Sequence, residues 1–163
     1  MNIAKNILRF VVLLILQVLL FNHLNGWGLC HPYIYIMALI CMPLLPRWAD
    51  MLIAFALGFV MDMFCSSLGI HTAACVLIAY LRPWLLAKMV QDPERVMQDV
   101  SVDTVGLSQF VRLTVALCLL HHGVVFLMDA CTLSHFWILL LRWIISCAVT
   151  LFVILGYSTF RKA

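Results

Sequence analysis

Residues 58–64 read Gly58-Phe59-Val60-Met61-Asp62-Met63-Phe64, an acidic side chain set inside an apolar run. A carboxylate facing hydrocarbon costs on the order of 3 kcal/mol or more. Such a run is therefore tolerated only where neighbouring segments enclose Asp62 or neutralise it. The flanks have the same character as the run itself: of 163 residues, 66% are hydrophobic and only 10% charged, and the mean hydropathy is +1.11. A soluble domain carries about 25% charged residues. The composition predicts an all-α, polytopic integral membrane protein, with residues 1–163 forming a single membrane domain.

Breakers and charges punctuate the chain into six expected spans, near 7–24, 29–46, 48–67, 70–88, 109–130 and 136–158, each about the length a bilayer requires. The second is bracketed by Pro32, Pro43 and Pro46 and is expected to be short or kinked. Lys5 and Arg9 ahead of the apolar stretch Phe10–Leu24 resemble a secretory signal, but no small-x-small processing site follows. Leu29 before Cys30 also argues against a lipid-attachment site, so the first segment is expected to remain as an anchor.

The net charge is +3, yet the basic residues stand at span ends and never form a run, which excludes a nucleic-acid surface. With both termini cytoplasmic, Lys5, Arg9, Arg47, Arg82, Lys88, Arg95, Arg112, Arg161 and Lys162 fall on or near the cytoplasmic side and Arg142 alone does not. That asymmetry fits the positive-inside bias. The long connector 89–108 contains Asp92-Pro93-Glu94-Arg95, an N-cap and helix-start signal that predicts a short cytoplasmic surface helix.

On the third span Ala54, Gly58 and Asp62 recur every four residues, flanked at the same interval by Asp50 and Ser66. Small-xxx-small spacing lets two helices approach closely, so Ala54 and Gly58 are expected to pack against protein and carry Asp62 inward. Depth along the spans then suggests a polar cluster in the outer half of the bundle, centred on an Asp62–Arg142 pair, with His121, His122 and Asp129 as further members.

The remaining histidines, His23, His31, His71 and His135, map to outer span ends and form no spaced ligand pair. The seven cysteines show no C-x-x-C and read as small core residues. Neither a metal nor another cofactor is expected. Catalytic fingerprints are lacking: Gly106-Leu107-Ser108-Gln109-Phe110 starts like a nucleophile elbow without its final glycine, and Ser66 and Ser67 stand at a helix end. The expectation is a protein that is not an enzyme.

Gly58-Phe59-Val60-Met61-Asp62, followed by Ser66-Ser67-Leu68-Gly69-Ile70-His71 and by Ala79-Tyr80-Leu81-Arg82-Pro83, resembles the central signature of the MreD family of rod shape-determining membrane proteins. Gln17 near Phe21-Asn22 and Pro32-Tyr33-Ile34-Tyr35 agree with it. The resemblance covers the chain from the first span to about Pro83. It implies a multi-pass protein of the bacterial inner membrane, a scaffold in cell elongation and cell shape. Its partners would be the lipid bilayer, the one-span protein MreC and, through it, MreB filaments, the glycosyltransferase RodA and its transpeptidase; self-association is left open. The family pattern carries over to Gly58, Asp62, Gly69 and His71, and to Arg82 and Pro83, with Gly69 making the outer turn, Pro83 bending the fourth helix and Arg82 reaching headgroups or an acidic partner. The family is similar in architecture to the substrate-binding subunits of energy-coupling-factor vitamin transporters, which supplies the alternative function. That reading predicts an outward polar pocket and an Ala-xxx-Ala contact face on the first span, where this chain has bulky residues from Phe10 to Gln17.

Overall fold

The computed structural model describes residues 3–24, 30–90, 99–130 and 136–160, and their regular structure is helical, with no strand among them. Five helices are long and apolar enough to cross a membrane: α1 Ile3–Leu19, which a 3₁₀ turn extends over Phe21–His23, α3 Arg47–Cys65, α4 Ile70–Met89, α6 Leu107–Asp129 and α7 Phe136–Phe160. Two short helices are also present among the described residues, α2 Ile36–Ile40 and α5 Val102–Val105.

The expected span at 29–46 is not a membrane-length helix. Its described part is extended or turn-like except for the five residues of α2. Every residue from Ile34 to Pro43 is buried, which is the condition under which irregular backbone survives at membrane depth. The segment runs antiparallel to α1: the Pro32 carbonyl accepts from Gln17 near one end of α1, and the Cys41 carbonyl accepts from Arg9 towards the other. Pro32, Pro43 and Pro46 explain why no long helix forms, since each removes a donor from any helical ladder it joins.

α3 and α4 form the most closely packed helical pair, and α6 packs on α4. The α3–α4 turn uses two left-handed residues, Ser66 at φ +54° and Gly69 at φ +85°, the second being the turn glycine the sequence indicated. Gly58 is the contact point: a Cβ there would lie 2.4 Å from the Thr72 Cα. Gly58→Ala is expected to destabilise by about 1–3 kcal/mol through overpacking, read as a lowered thermal midpoint in detergent. Gly156→Ala, where an added Cβ meets nothing within 4 Å, is the control and is expected to be neutral or mildly stabilising.

α4 runs through Pro83 to Met89 as one helix. The surface helix expected at Asp92–Arg95 lies outside the described residues. At the described end of that connector, Ser101 and Thr104 form a reciprocal cap on α5, and Val100, Val102 and Val105 are buried.

Candidate functional site

Asp62 sits one turn from the C-terminal end of α3 and is buried. Its carboxylate accepts four hydrogen bonds: from Ser67 Oγ at 2.5 Å, the His71 amide at 2.9 Å, the Thr72 amide at 2.9 Å and Thr72 Oγ1 at 2.5 Å. The two amides belong to the first turn of α4, where backbone donors lack helical partners and the dipole favours an anion. Asp62 is thus enclosed, as the bilayer argument requires. Its partner is the next helix rather than Arg142.

The expected Asp62–Arg142 pair is not formed. The ion pairs among the described residues are Arg9–Asp99 and Arg82–Asp50. Arg142 is half-buried, and its Nε lacks a hydrogen-bond partner among the described residues. Asp129 is exposed and lines the cavity described below. Equal depth on two helices says nothing about which faces meet, and a helix N-terminus a few residues along the chain is the nearer source of donors.

A second lock lies towards the other end of α3 and α4. Arg82 is 1% exposed and Asp50 fully buried. Arg82 Nη1 donates to Asp50 Oδ2 at 3.3 Å and to the Pro43 carbonyl at 3.5 Å, and Nη2 donates to the Met42 carbonyl. Arg82 therefore does not reach the headgroups. It holds the exit of the 30–46 segment against the start of α3. At a third lock, Arg9 bonds Asp99 at 3.1 Å and the Cys41 carbonyl at 3.0 Å, joining α1, the same segment and the connector that leads into α5.

The entry of that segment is held by Gln17, also fully buried. Its Oε1 accepts from the Ile34 amide at 2.8 Å, and its Nε2 donates to the Pro32 carbonyl at 3.0 Å and to Asn22 Oδ1 at 2.9 Å. The His31 and Tyr33 amides donate to Ser146 Oγ and Thr150 Oγ1 of α7, at 2.9 and 3.0 Å. Side chains of α1 and α7 thus supply the backbone pairing that an unwound segment lacks.

Tyr35 occupies the centre of the bundle. Its hydroxyl lies 3.0 Å from His71 Nδ1 and 2.6 Å from His121 Nε2, bridging α4 and α6. Tyr33 packs on His71, His121 and His122, with ring centroids 5.0 to 5.6 Å apart. Beside this layer, at the end of the bundle where α3 meets α4, a cavity of about 360 Å³ is lined by Gln17, Asn22, His31, Tyr33, His71 and Asp129, among others. His121 thus joins His71 rather than Asp62. His122 faces α7, with Nε2 3.1 Å from Thr150 Oγ1. His23 is exposed, and His135 lies outside the described residues.

Sequence reasoning missed Asp50 as the partner of Arg82, although Asp50 stands on the same four-residue stripe as Asp62. It also missed Tyr35 as the bridge. No periodic signal marks Tyr35, because the segment that carries it has no regular period.

The fold and site define a helical chain with five potential membrane helices and a polar interior held by internal locks. No family model matches this chain, and no curated protein or solved structure matches it significantly.

Proposed function

We propose that the protein is a non-catalytic scaffold of the bacterial cell-elongation machinery in the inner membrane, of the kind the MreD resemblance implies, binding the one-span protein MreC. The observation that carries this reading is that both charged residues of the resembling motif, Asp62 and Arg82, are consumed by contacts within the chain. A group so engaged stiffens a platform and is not free to move protons or attack a substrate. The 30–46 segment, anchored by Gln17 at one end and by Arg9 and Arg82 at the other, serves in this proposal as a sixth, broken crossing that leaves both termini on the cytoplasmic side.

MreC would dock in the groove of about 500 Å³ between α1 and α7, floored by Ile34 and Met37 and walled by Val12, Leu16 and Val153. α1 is the least buried of the five long helices, and a groove beside it suits the apolar side chains of a single partner helix. The test is co-purification of MreC with this protein from membranes. The wild type is expected to retain it and Leu16→Trp, which fills the groove, to reduce the yield about tenfold, an effect of roughly 1.4 kcal/mol. Equal recovery with both proteins would remove the groove from the proposal, and no recovery with either would remove the scaffold.

A second reading, the substrate-binding subunit of a vitamin transporter, is favoured by the cavity at the end of the bundle where α3 meets α4. Its volume of about 360 Å³ lies within the range of small-molecule sites, about 300–1,000 Å³, and its lining mixes polar groups such as Gln17, His31 and Asp129 with apolar ones such as Phe64 and Val125. Depletion separates the two: rounding of a rod-shaped host supports the scaffold, and vitamin auxotrophy supports the transporter.

A further inference from the structure

Between α6 and α7, Cys118, His122 and Cys147 are all buried, and one ligand atom from each lies within 4.8 Å of the others. Cys118 and His122 are four residues apart on one helix, so they share a face. Cys147 comes from the facing helix. From this geometry we propose that the three residues form a zinc(II) site that clamps α7 to α6.

Three features support it. First, His122 Nδ1 lies 3.5 Å from Cys118 Sγ, about the ligand–ligand edge of a tetrahedral zinc site with Zn–S near 2.3 Å and Zn–N near 2.0–2.1 Å. Second, the other ring nitrogen, Nε2, faces Thr150 Oγ1 at 3.1 Å. A metal-binding histidine typically donates its remote N–H to such an acceptor, which fixes its tautomer and orientation. Third, the charge balances: zinc(II), two thiolates, a neutral imidazole and a water in the fourth position sum to zero, so the filled site places no net charge among apolar helices. Binding converts two thiols to thiolates and releases their two protons to solvent.

The contacts these groups make with one another and with the backbone are long or shared. Nδ1 lies 3.0 Å from the Cys118 carbonyl, which the helix already uses for its own i to i−4 bond. The thiols of Cys118 and Cys147 reach each other's backbone carbonyls only at 4.0 and 3.9 Å, and the shorter contact is the one from Cys118 Sγ to His122 Nδ1. Tyr33 lines the cavity of about 360 Å³ and packs against the His122 ring at 5.0 Å, so a single ring separates the trio from that cavity.

The test uses the full chain, purified in detergent under reducing conditions, equilibrated with zinc and freed of excess metal. One zinc per chain is expected. Cys118→Ser and Cys147→Ser should each lower bound zinc about tenfold or more, whereas Cys75→Ser, which alters a buried thiol outside the trio, should retain it. Cobalt(II) in place of zinc should give a thiolate charge-transfer band in the wild type that Cys147→Ser lacks. Should a variant fail to fold, the wild type alone decides: absence of both bound zinc and the cobalt band overturns the site. Uptake of copper(I) but neither zinc nor cobalt overturns the zinc assignment. A Cys118–Cys147 disulfide in protein prepared without reductant, with no zinc on the reduced form, overturns it likewise.

Discussion

Replacing Arg82 by methionine is expected to cost about 3–5 kcal/mol, because it leaves the carboxylate of Asp50 buried and unpaired. Asp50 is fully enclosed, so water cannot take over. The Met42 and Pro43 carbonyls lose their donor at the same time, freeing the end of the 30–46 segment. A loss of this size approaches the whole stability of a typical domain, and little intact protein should remain in membranes. The double variant Arg82→Met with Asp50→Leu should recover much of it, since an apolar pair of similar volume is often as stable as a buried ion pair. Thermal unfolding in detergent compares the single and double variants. A double variant no better than Arg82→Met alone would mean that the carbonyl contacts, and not the ion pair, hold the lock.

Asp62→Ala should cost about 2–4 kcal/mol, since it removes a charged acceptor from four donors and strips the start of α4 of its cap. Asp62→Asn should fall between Ala and wild type: one oxygen still accepts, but the amide NH₂ then faces donors of its own kind at Thr72. The same thermal measurement orders the three proteins. Charge reversal at both Asp62 and Arg142 should give no rescue, because the two residues do not form a pair. Rescue would restore the Asp62–Arg142 cluster that the sequence suggested.

How much could be read in advance depended on how regular the backbone is. Five expected spans coincide with helices because an apolar run of membrane length between charges has a single economical use. Ala54, Gly58 and Asp62 were read as an inward face, and all three are buried, since residues four apart share a helix surface. The 30–46 segment was legible only as a warning in its prolines: its path is set by side chains elsewhere, Gln17, Arg9, Arg82, Ser146 and Thr150, that no local pattern connects. The partners of Asp62 were missed for a related reason. An opposite charge on another helix is one partner for a buried carboxylate, but a carboxylate beside a turn finds backbone amides first. Cys118 and His122 did carry a signal, their four-residue spacing, but a cysteine–histidine pair lacks the C-x-x-C form that marks most metal sites, and Cys147 joins it only through tertiary packing.

The central claim, that the broken 30–46 segment carries the chain across the bilayer, is tested most directly by labelling introduced cysteines with a membrane-impermeant maleimide from each side. His23→Cys, after α1, and Arg47→Cys, at the start of α3, are both at exposed positions and bracket the segment. Labelling of the two from opposite faces, beyond that of the parent chain, is the predicted result. Labelling of both from the same face would mean that the segment enters and leaves on one side, and would contradict the account.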